Sequence, residues 1–292
     1  MLDRIEGLVT VDVNTFVDGN GENNFLERAA TFNPDGKLTG ACGGAVIGHY
    51  LYVCTPRGIA VVNVLDPKAP ALVTEVTEGL NGPRALDAQF RYAAIVDADG
   101  MKVLDVTSLE APVLVAGAAI PLADARNVRV SRTYAYVSAG KEGIAIVDVK
   151  RFRAPALVQK FDADGKLNDV NAVVTGLTNA SFFAYVADGK NGLRVVELWS
   201  PARSTQTDGA SPLPIPKLIA TCPTESPCIA ISTGQQRDRG CDESGHQMSV
   251  FGRIGSRPLN GEERAKFYLR DGKPFTVKDD ASGYEEKRAA PK

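Results

Sequence analysis

The cysteines and histidines are the side chains whose spacing suggests the most specific chemistry. Cys222, Cys228, Cys241 and His246 follow the spacing C-x5-C-x12-C-x4-H. Three thiolates and one imidazole form the donor set of a Cys3His zinc site, although the tight C-x2-C pair of many structural zinc sites is missing. Cys222 and Cys228 could instead form a disulfide across a short loop, which an oxidising compartment would favour. Zinc and a disulfide therefore remain alternatives.

A carboxylate run forms a second candidate metal site. Asp162, Asp164 and Asp169 give the pattern D-x-D-G-x-x-x-D, and carboxylates two residues apart around a glycine turn can converge on calcium. The twelfth position carries no Glu, so the run is not a complete EF-hand loop. Asx turns explain the same residues without an ion. Calcium is therefore an expectation that competes with a structural role.

The sequence contains no recognisable catalytic motif. It has no G-x-S-x-G, P-loop or H-E-x-x-H, and no G-x-G-x-x-G that opens a helix. The absence of C-x-x-C-H excludes covalent haem attachment within this chain. Basic and aromatic residues interleave too sparsely for a nucleic-acid surface. We therefore expect a non-enzymatic protein without a cofactor, with calcium and zinc as the two ions to consider.

Composition excludes several classes of protein. The chain has 292 residues, a net charge of −2, 44% hydrophobic residues and 23% charged residues. These values are typical of a folded globular protein and provide no bulk charge for nucleic acid or an anionic membrane. No apolar run reaches the ~18 residues that a membrane helix needs. We expect no membrane span.

One recurring motif defines the elements that must position the candidate residues. It consists of Gly, alternating apolar residues, and then an acidic residue or Asn. Copies begin at Gly7, Gly58, Gly100, Gly143 and Gly192, with a degraded copy at Gly245. The average interval of about 48 residues is close to the length of a four-stranded propeller blade.

Short segments rich in β-branched or aromatic residues flank each copy, which is typical of strands. Two of them lie before the motif, as in 85–89 and 92–96, and one lies after it, as in 111–115. Each repeat therefore contains four strands, named a to d in chain order, with the motif as strand c. Because no stretch shows a sustained helical period, we predict an all-β propeller of about six blades. A β-sandwich is the alternative, but sandwiches do not normally repeat one motif at a fixed period.

The best-preserved repeat is similar to a known family. GIAIVDV (143–149), preceded by YAYVSAGKEG and followed by RAPALV, resembles the LVIVD-repeat family of bacterial and archaeal β-propeller proteins. The resemblance covers roughly residues 1–255 and implies a protein that is exported to the periplasm, the cell surface or the extracellular space, with a leader that this chain does not contain. The family has no shared catalytic residues, so the resemblance implies a fold and no reaction.

The first and last repeats are irregular. Strands a and b of the first blade have no room before Gly7, so that blade is expected to be incomplete. Residues 274–280 could supply its strand a and close the ring, or the chain could be a fragment of a longer protein. We assign residues 1–280 to one propeller domain and 281–292 to a disordered tail.

Alternating strand directions place the d–a and b–c connections on one face, which we call the d–a/b–c face. All five cysteines map near it. Arg84 and Arg126 precede two predicted a strands, whereas Arg57, Asp97 and Asp99 lie in b–c connections. Guanidinium groups near the axis could bind an anion, or they could cap loop carbonyls and pair with a nearby Asp. Two polar insertions, 200–216 and 233–244, add long loops that could bind a partner or simply be tolerated.

Three functional hypotheses follow. The first is a non-enzymatic scaffold that binds a protein or a surface ligand through the d–a/b–c face. The second is an accessory propeller domain of a larger exported enzyme or extracellular redox assembly, whose partner would be another domain of a longer parent chain. The third is an enzyme that uses the central channel, and the lack of paired catalytic groups counts against it.

Overall fold

A computed structural model describes residues 1–12, 27–178, 181–203 and 211–232, together with short segments between residues 239 and 274. The chain divides into two compact units, Met1–Ile231 and Ser232–Lys292, which are described separately. The predicted tail, 281–292, lies outside the described residues. No helix among the described residues has the length and hydrophobicity of a membrane span.

The first unit consists of antiparallel sheets whose strands follow one another in chain order. We call them blades 1 to 5. Blade 1 has three strands, β1 (Leu2–Asp3), β2 (Gly7–Asp12) and β3 (Glu27–Phe32). Blade 2 contains β4 (Gly43–Ile47), β5 (Tyr50–Thr55), β6 (Gly58–Asn63) and β7 (Ala71–Val76). Blade 3 contains β8 (Ala85–Gln89), β9 (Tyr92–Asp97), β10 (Gly100–Asp105) and β11 (Val113–Pro121).

Blades 4 and 5 repeat this order. Blade 4 contains β12 (Asn127–Ser131), β13 (Tyr134–Ser138), β14 (Ile144–Asp148) and β15 (Ala156–Phe161). Blade 5 contains β16 (Ala172–Thr178), β17 (Ser181–Ala187), β18 (Leu193–Trp199) and β19 (Lys217–Cys222). The predicted strands a to d are thus confirmed in four blades, and the helical structure among the described residues of this unit is limited to a 3-10 turn at Pro34–Gly36.

The blades pack side by side through their first strands. β4 contacts β8, β8 contacts β12, and β12 contacts β16, so the a strands form the inner row of a radial array. An apolar core fills each gap between neighbouring blades. Between blades 2 and 3, for example, Tyr52, Ile59, Ile95 and Leu104 are fully buried. This arrangement confirms the predicted β-propeller fold.

Blade 1 differs from the expectation that no strand precedes its strand c. β1 pairs with β2, with Leu2 opposite Leu8 and Asp3 opposite Gly7, and therefore occupies the place of strand b. The sequence concealed this strand because only two residues of it are paired. Leu2 packs against the core between blades 1 and 2, which explains why so short a strand is held.

Residues 228–232, CIAIS, have the composition that predicts strand a of the next blade, but the structure differs here as well. Only Cys228 is paired, in an isolated bridge with Gly189 of blade 5, and Ile229 is 69% exposed. Its apolar, β-branched composition predicted a strand, but β-propensity alone does not supply a pairing partner.

The second unit contains a four-stranded antiparallel sheet and a hairpin. The sheet consists of β20 (Arg239–Cys241), β21 (Gln247–Val250), β22 (Arg253–Ile254) and β23 (Arg257–Pro258). The hairpin pairs β24 (Leu269–Arg270) with β25 (Lys273–Pro274). β21 coincides with the degraded motif copy, whereas residues 275–280 of the proposed closing strand lie outside the described residues.

Steric constraints explain why each motif begins with glycine. Gly58, Gly100, Gly143 and Gly192 all have positive φ, and a Cβ at any of them would clash with a strand-d carbonyl, for example that of Phe161 at Gly143. Only glycine combines this backbone conformation with so close an approach. The motif glycine therefore marks the start of strand c, where the backbone passes very close to strand d.

Strand d carries a β-bulge at the same level in every blade. The register against strand c shifts between Thr10 and Val11, Val61 and Val62, Ile146 and Val147, and Val195 and Val196. In blade 3 the irregularity is larger, because residues 115–118 lie between the partners of Lys102 and Leu104. Bulges bend and twist an outer strand away from simple edge pairing.

Substituting Gly143 by Ala should therefore destabilise the fold by more than about 2 kcal/mol, because it adds both a positive-φ penalty and a backbone clash. Gly165 is the matched control, since its φ is +79° but a Cβ there would meet nothing within 4 Å. Chemical denaturation should show a loss of only about 1 kcal/mol for Gly165→Ala. Equal losses at the two positions would contradict the close-approach explanation.

Candidate functional site

The residue before each strand a is held in the same way in blades 2 to 5. Its backbone N–H donates to a carbonyl near the end of strand b, at 2.8–3.1 Å, from Cys42 to Cys54, Arg84 to Val96, Arg126 to Ser138 and Asn171 to Ala187. Since strand a already pairs with strand b, this extra bond makes a bulge at the d–a/b–c face. In blades 2, 3 and 4 the side chain at this position reaches the following blade.

Arg84 shows the first of these inter-blade contacts. Its Nη1 donates to the carbonyl oxygen of Ala125 at 2.8 Å and to Asp124 Oδ1 at 3.2 Å, both in the loop that enters blade 4. In blade 2 the thiol of Cys42 occupies the same position and lies 3.4 Å from the carbonyl oxygen of Pro83. The position therefore acts as a bridge between blades whether or not it carries charge.

Arg126 extends the bridge to blade 5. Its Nε donates to Asp124 Oδ2 at 2.8 Å, and its Nη1 donates to Asp169 Oδ1 at 2.7 Å and Asn171 Oδ1 at 2.8 Å. Arg84, Asp124, Arg126 and Asp169 thus alternate in charge across three blades. We call these four residues the arginine–aspartate ladder.

The ladder balances its own charges. The hydrogen bond from Arg126 lowers the pKa of Asp124, and Asp124 raises the pKa of Arg126. Both guanidinium groups donate hydrogen bonds to carboxylate or carbonyl oxygens. The sequence predicted this structural role as the alternative to anion binding. The structure therefore brings Arg84 and Arg126 together through Asp124, and anion binding at these arginines stays a prediction.

Asp97, predicted as a surface binding residue, is fully buried. Its Oδ2 accepts the backbone N–H of Asn81 at 2.9 Å and the ammonium of Lys102 at 2.7 Å. Asp99, which is half exposed, accepts from Lys102 and from the side-chain amide of Asn81. The hydrogen bond from Lys102 lowers the pKa of Asp99. This cluster fastens the d–a loop that enters blade 3 to that blade's b–c turn.

Blade 5 contains a counterpart built on Asp188, also fully buried. Its Oδ1 accepts the backbone N–H groups of Asn168 and Asp169 at 3.2 and 2.9 Å, and its Oδ2 accepts Arg194 Nε at 3.2 Å. We call the Asp97 and Asp188 clusters the loop clamps. Each clamp joins a carboxylate at the carboxyl end of a b strand to the loop that precedes the same blade.

The loop clamps were not predicted, although the sequence contains a signal for them. The third residue of the motif is Lys102 or Arg194 in the two blades that have a buried Asp, and it is apolar (Val9, Ala60 or Ala145) in the three that do not. A cation within an otherwise apolar strand needs a buried partner. That co-occurrence within the repeats could have identified the pairs.

Arg57 is also paired, with Glu75 of β7, which in turn accepts Lys37 Nζ at 3.0 Å. Burial alone would raise the pKa of Glu75, but the hydrogen bonds from Lys37 and Arg57 lower it overall. Arg57 therefore joins the outer strand of blade 2 to its b–c turn. The structure does not bring Arg57 together with the ladder as one site.

The predicted calcium ligands have separate partners. Asp162 Oδ1 accepts the backbone N–H of Asp164 at 3.2 Å, which is an Asx turn, whereas Asp169 is bound by Arg126. Asp164 and the neighbouring Ala163 and Gly165 have left-handed backbone conformations. Within the described part of the chain, no three His, Cys, Asp or Glu side chains converge as metal ligands do.

The cysteines are also separate. Cys222 and Cys228 are free thiols here, so their disulfide stays a prediction for oxidising conditions. Cys241 belongs to β20, but its side chain and the whole of His246 lie outside the described residues, which leaves the zinc site a prediction too. Cys54 is fully buried in the core between blades 2 and 3, and burial raises the pKa of its thiol strongly.

Removing the central arginine of the ladder should destabilise the fold. We expect Arg126→Ala to reduce the free energy of unfolding by about 1–2 kcal/mol, since charge-assisted hydrogen bonds to two neighbouring loops are lost. Arg28→Ala is the control, because Arg28 is mostly exposed and its ion pair with Glu6 lies at the surface, which predicts a loss below about 0.5 kcal/mol. A double-mutant cycle between Arg126 and Asp169 that gives no coupling would refute the ladder.

The ladder also predicts a pH dependence. Because the pKa of Asp124 is lower in the folded protein than in the unfolded chain, its contribution is complete above about pH 5 and is lost as the pH falls through the folded value. Asp124→Asn should therefore be less stable than wild type at pH 7, and the difference should shrink as the pH falls below about 4. A difference that stays constant in urea titrations over this range would argue against the pairing.

Comparison with known proteins agrees with the repeat structure. Three segments match the LVIVD repeat, at residues 40–78, 123–163 and 182–202. They coincide with blade 2, blade 4 and strands β17 and β18 of blade 5. No curated protein matches the chain by sequence.

Several solved structures resemble parts of the chain at low identity. The computationally designed Ika8 protein is 15% identical, with a TM-score of 0.39, over 54% of this chain and 46% of its own. The nidogen/laminin complex gives 12% identity and a TM-score of 0.41, over 61% of this chain and 65% of the other. AztD from Citrobacter koseri gives 16% and 0.36, over 55% and 44%. This chain thus covers less than two thirds of each of these proteins. The three repeat matches lie in blades 2, 4 and 5, and the chain is a β-propeller that contains LVIVD repeats.

Proposed function

We propose that this chain is a non-enzymatic β-propeller scaffold that binds a protein or a surface ligand through its d–a/b–c face. The loop clamps and the ladder support this role, because they attach the loops of this face to the blades and to one another. A partner that binds loops already held in place does not have to order them, which reduces the entropic cost of association.

The ionisable residues with the deepest burial on this face have structural partners. Asp97 and Asp188 each accept a backbone N–H and a cation. Such groups stabilise a fixed surface and are satisfied without a substrate. This is a different arrangement from a catalytic site, where a base must reach a reacting group.

The tips of the same loops present charge outwards. Lys141 and Lys190 occupy equivalent places in the G-K-x-G loops at 140–143 and 189–192, and both are exposed. Lys166 is exposed on the adjoining d–a loop. Among the described residues, none of the three lysines has an ion-pair partner. Exposed lysines on held loops are the observation that carries the proposal, because they leave these side chains free to contact a partner.

Site-specific photo-crosslinking in the producing cells tests this function. A photoreactive residue at position 190 or 141 should give a discrete higher-mass adduct, because the proposal places both positions in the partner interface. The matched control is position 68, where an exposed lysine lies on the opposite face and should give no such adduct.

Comparison of the two loop positions with position 68 also shows which results would contradict the proposal. Adducts that are absent at both loop positions, or equally strong at position 68, would contradict binding through the d–a/b–c face. A charge reversal of both lysines, Lys141→Glu with Lys190→Glu, should abolish the adduct formed from a photoreactive residue at position 57 on the same face while leaving the melting temperature unchanged.

A further inference from the structure

A groove opens along the outer strand of blade 3, on the side of the a–b and c–d connections. It has a volume of about 540 Å³ and is lined by Asp105, Thr107, Ser108, the first residues of β11 and Arg153 of blade 4. This volume lies within the range of about 300–1,000 Å³ that is typical of ligand sites. The large bulge of β11 at residues 115–118 forms part of its wall.

The groove has an apolar floor and polar sides. Val113 is 63% exposed, although it lies beside the partly buried Leu114 and Val115. Arg153 stands at the edge, where its Nε donates to the hydroxyl of Tyr92 at 3.0 Å and its Nη2 donates to Asp105 Oδ2 at 3.0 Å. The ring of Phe152 stacks on Tyr92 at 5.2 Å and supports this wall.

The corresponding place on blade 4 is occupied by the chain itself. The proline-rich insertion between β18 and β19 returns over blade 4, where Ser211 Oγ contacts the hydroxyl and backbone N–H of Thr133. The carbonyl oxygen of Pro214, which is buried, accepts Gln159 Nε2 at 3.1 Å. Residues 211–216, SPLPIP, thus contact blade 4 at the turn that contains Thr133 and at Gln159 of β15.

The two places are equivalent in the repeat. Gln159 pairs with Ile146, and residues 115–118 lie opposite Val103, which occupies the same motif position as Ile146. In both cases the c–d connection of the following blade reaches back over the outer strand. The connection after β18 is long enough to cover β15, whereas the shorter one after β14 leaves the groove beside β11 open.

We propose that the groove beside β11 binds an extended, proline-containing apolar segment of a partner protein, in the way that blade 4 holds residues 211–216. Proline lacks an N–H group, so such a segment offers mainly carbonyl acceptors and apolar rings. Ser108 and the N–H groups of Arg153 that do not bond to Tyr92 or Asp105 provide donors at the edge of an apolar floor. A polyproline-type segment also loses little conformational entropy on binding.

The proposal is separate from binding at the d–a/b–c face, because the groove lies on the opposite side of the blades. The probe is a fluorescent peptide with the sequence of residues 210–217, ASPLPIPK, titrated into the intact protein. We expect a saturable rise in anisotropy, and a peptide with its three prolines replaced by alanine should bind at least about tenfold more weakly.

Two protein variants locate the site. Val113→Glu with Ala116→Glu places charge on exposed positions of the groove and should weaken binding at least about tenfold without changing the melting temperature. Val73→Glu, at an exposed position of β7 in blade 2, is the matched control and should bind the peptide as wild type does.

Hydrogen–deuterium exchange identifies the strand that the peptide contacts. Added peptide should slow exchange of amides in β11, at Val113–Pro121. Protection of β15 instead, which would mean that the peptide displaces residues 211–216 from blade 4, would overturn the proposal. Binding that does not saturate at millimolar peptide, or that survives the double Glu substitution, would overturn it as well.

Discussion

Lateral burial of neighbouring blades against one another is the constraint on which the rest of this structure depends. In blade 2 the successive residues Tyr52 and Val53 point to opposite faces of the sheet, yet both are fully buried. The same holds for Ile144 and Ala145 in blade 4. Each buried aliphatic side chain stabilises the fold by roughly 1.5–3 kcal/mol, so the middle strands read as continuous apolar runs.

At the strand ends, polar loops meet closely packed blades, so the N–H groups of these loops need hydrogen-bond acceptors. Within a blade the loop clamps provide them, because a carboxylate at the end of strand b accepts the N–H groups of the entering loop. Between blades, the arginine–aspartate ladder connects the entering loops. Asp87 of β8 adds a link between blades 3 and 4, since its carboxylate accepts the backbone N–H of Val130 in β12 at 2.7 Å. Although this contact and Arg129 favour the charged form, burial raises the pKa of Asp87 overall.

Close packing at the d–a/b–c face also explains a pattern of small residues. Gly40 lies against Pro56 in blade 2, whereas in blades 4 and 5 the glycine is on the other side, with Asp124 against Gly140 and Asp169 against Gly189. The narrow space between a d–a loop and a b–c loop therefore holds one larger side chain, which comes from the b–c loop in blade 2 and from the d–a loop in blades 4 and 5. The aspartates of the ladder are positioned by glycines of the b–c loops as much as by their arginine partners.

The repeat made the fold predictable, because a motif that recurs six times reports the blade and its four strands. The partners in the ion pairs could not be predicted from the sequence. Arg84 and Asp124 are 40 residues apart and meet only because one blade follows another. Asp97 looked exposed from its place in a turn, and its burial depends on Asn81 and Lys102. The pairing of β1, and the lack of a strand at 228–232 where only Cys228 is paired, depend on tertiary contacts that local composition does not encode.

Backbone hydrogen exchange at Asn81 and Asp169 tests most directly whether the d–a/b–c face is held in place. Their N–H groups donate to the buried carboxylates of Asp97 and Asp188. The account predicts that both amides, although in loops, exchange as slowly as those of the adjoining strands, and that Asp97→Ala releases Asn81 while Asp169 stays protected. Exchange of both amides in the wild-type protein at the rate of an unstructured peptide would contradict it.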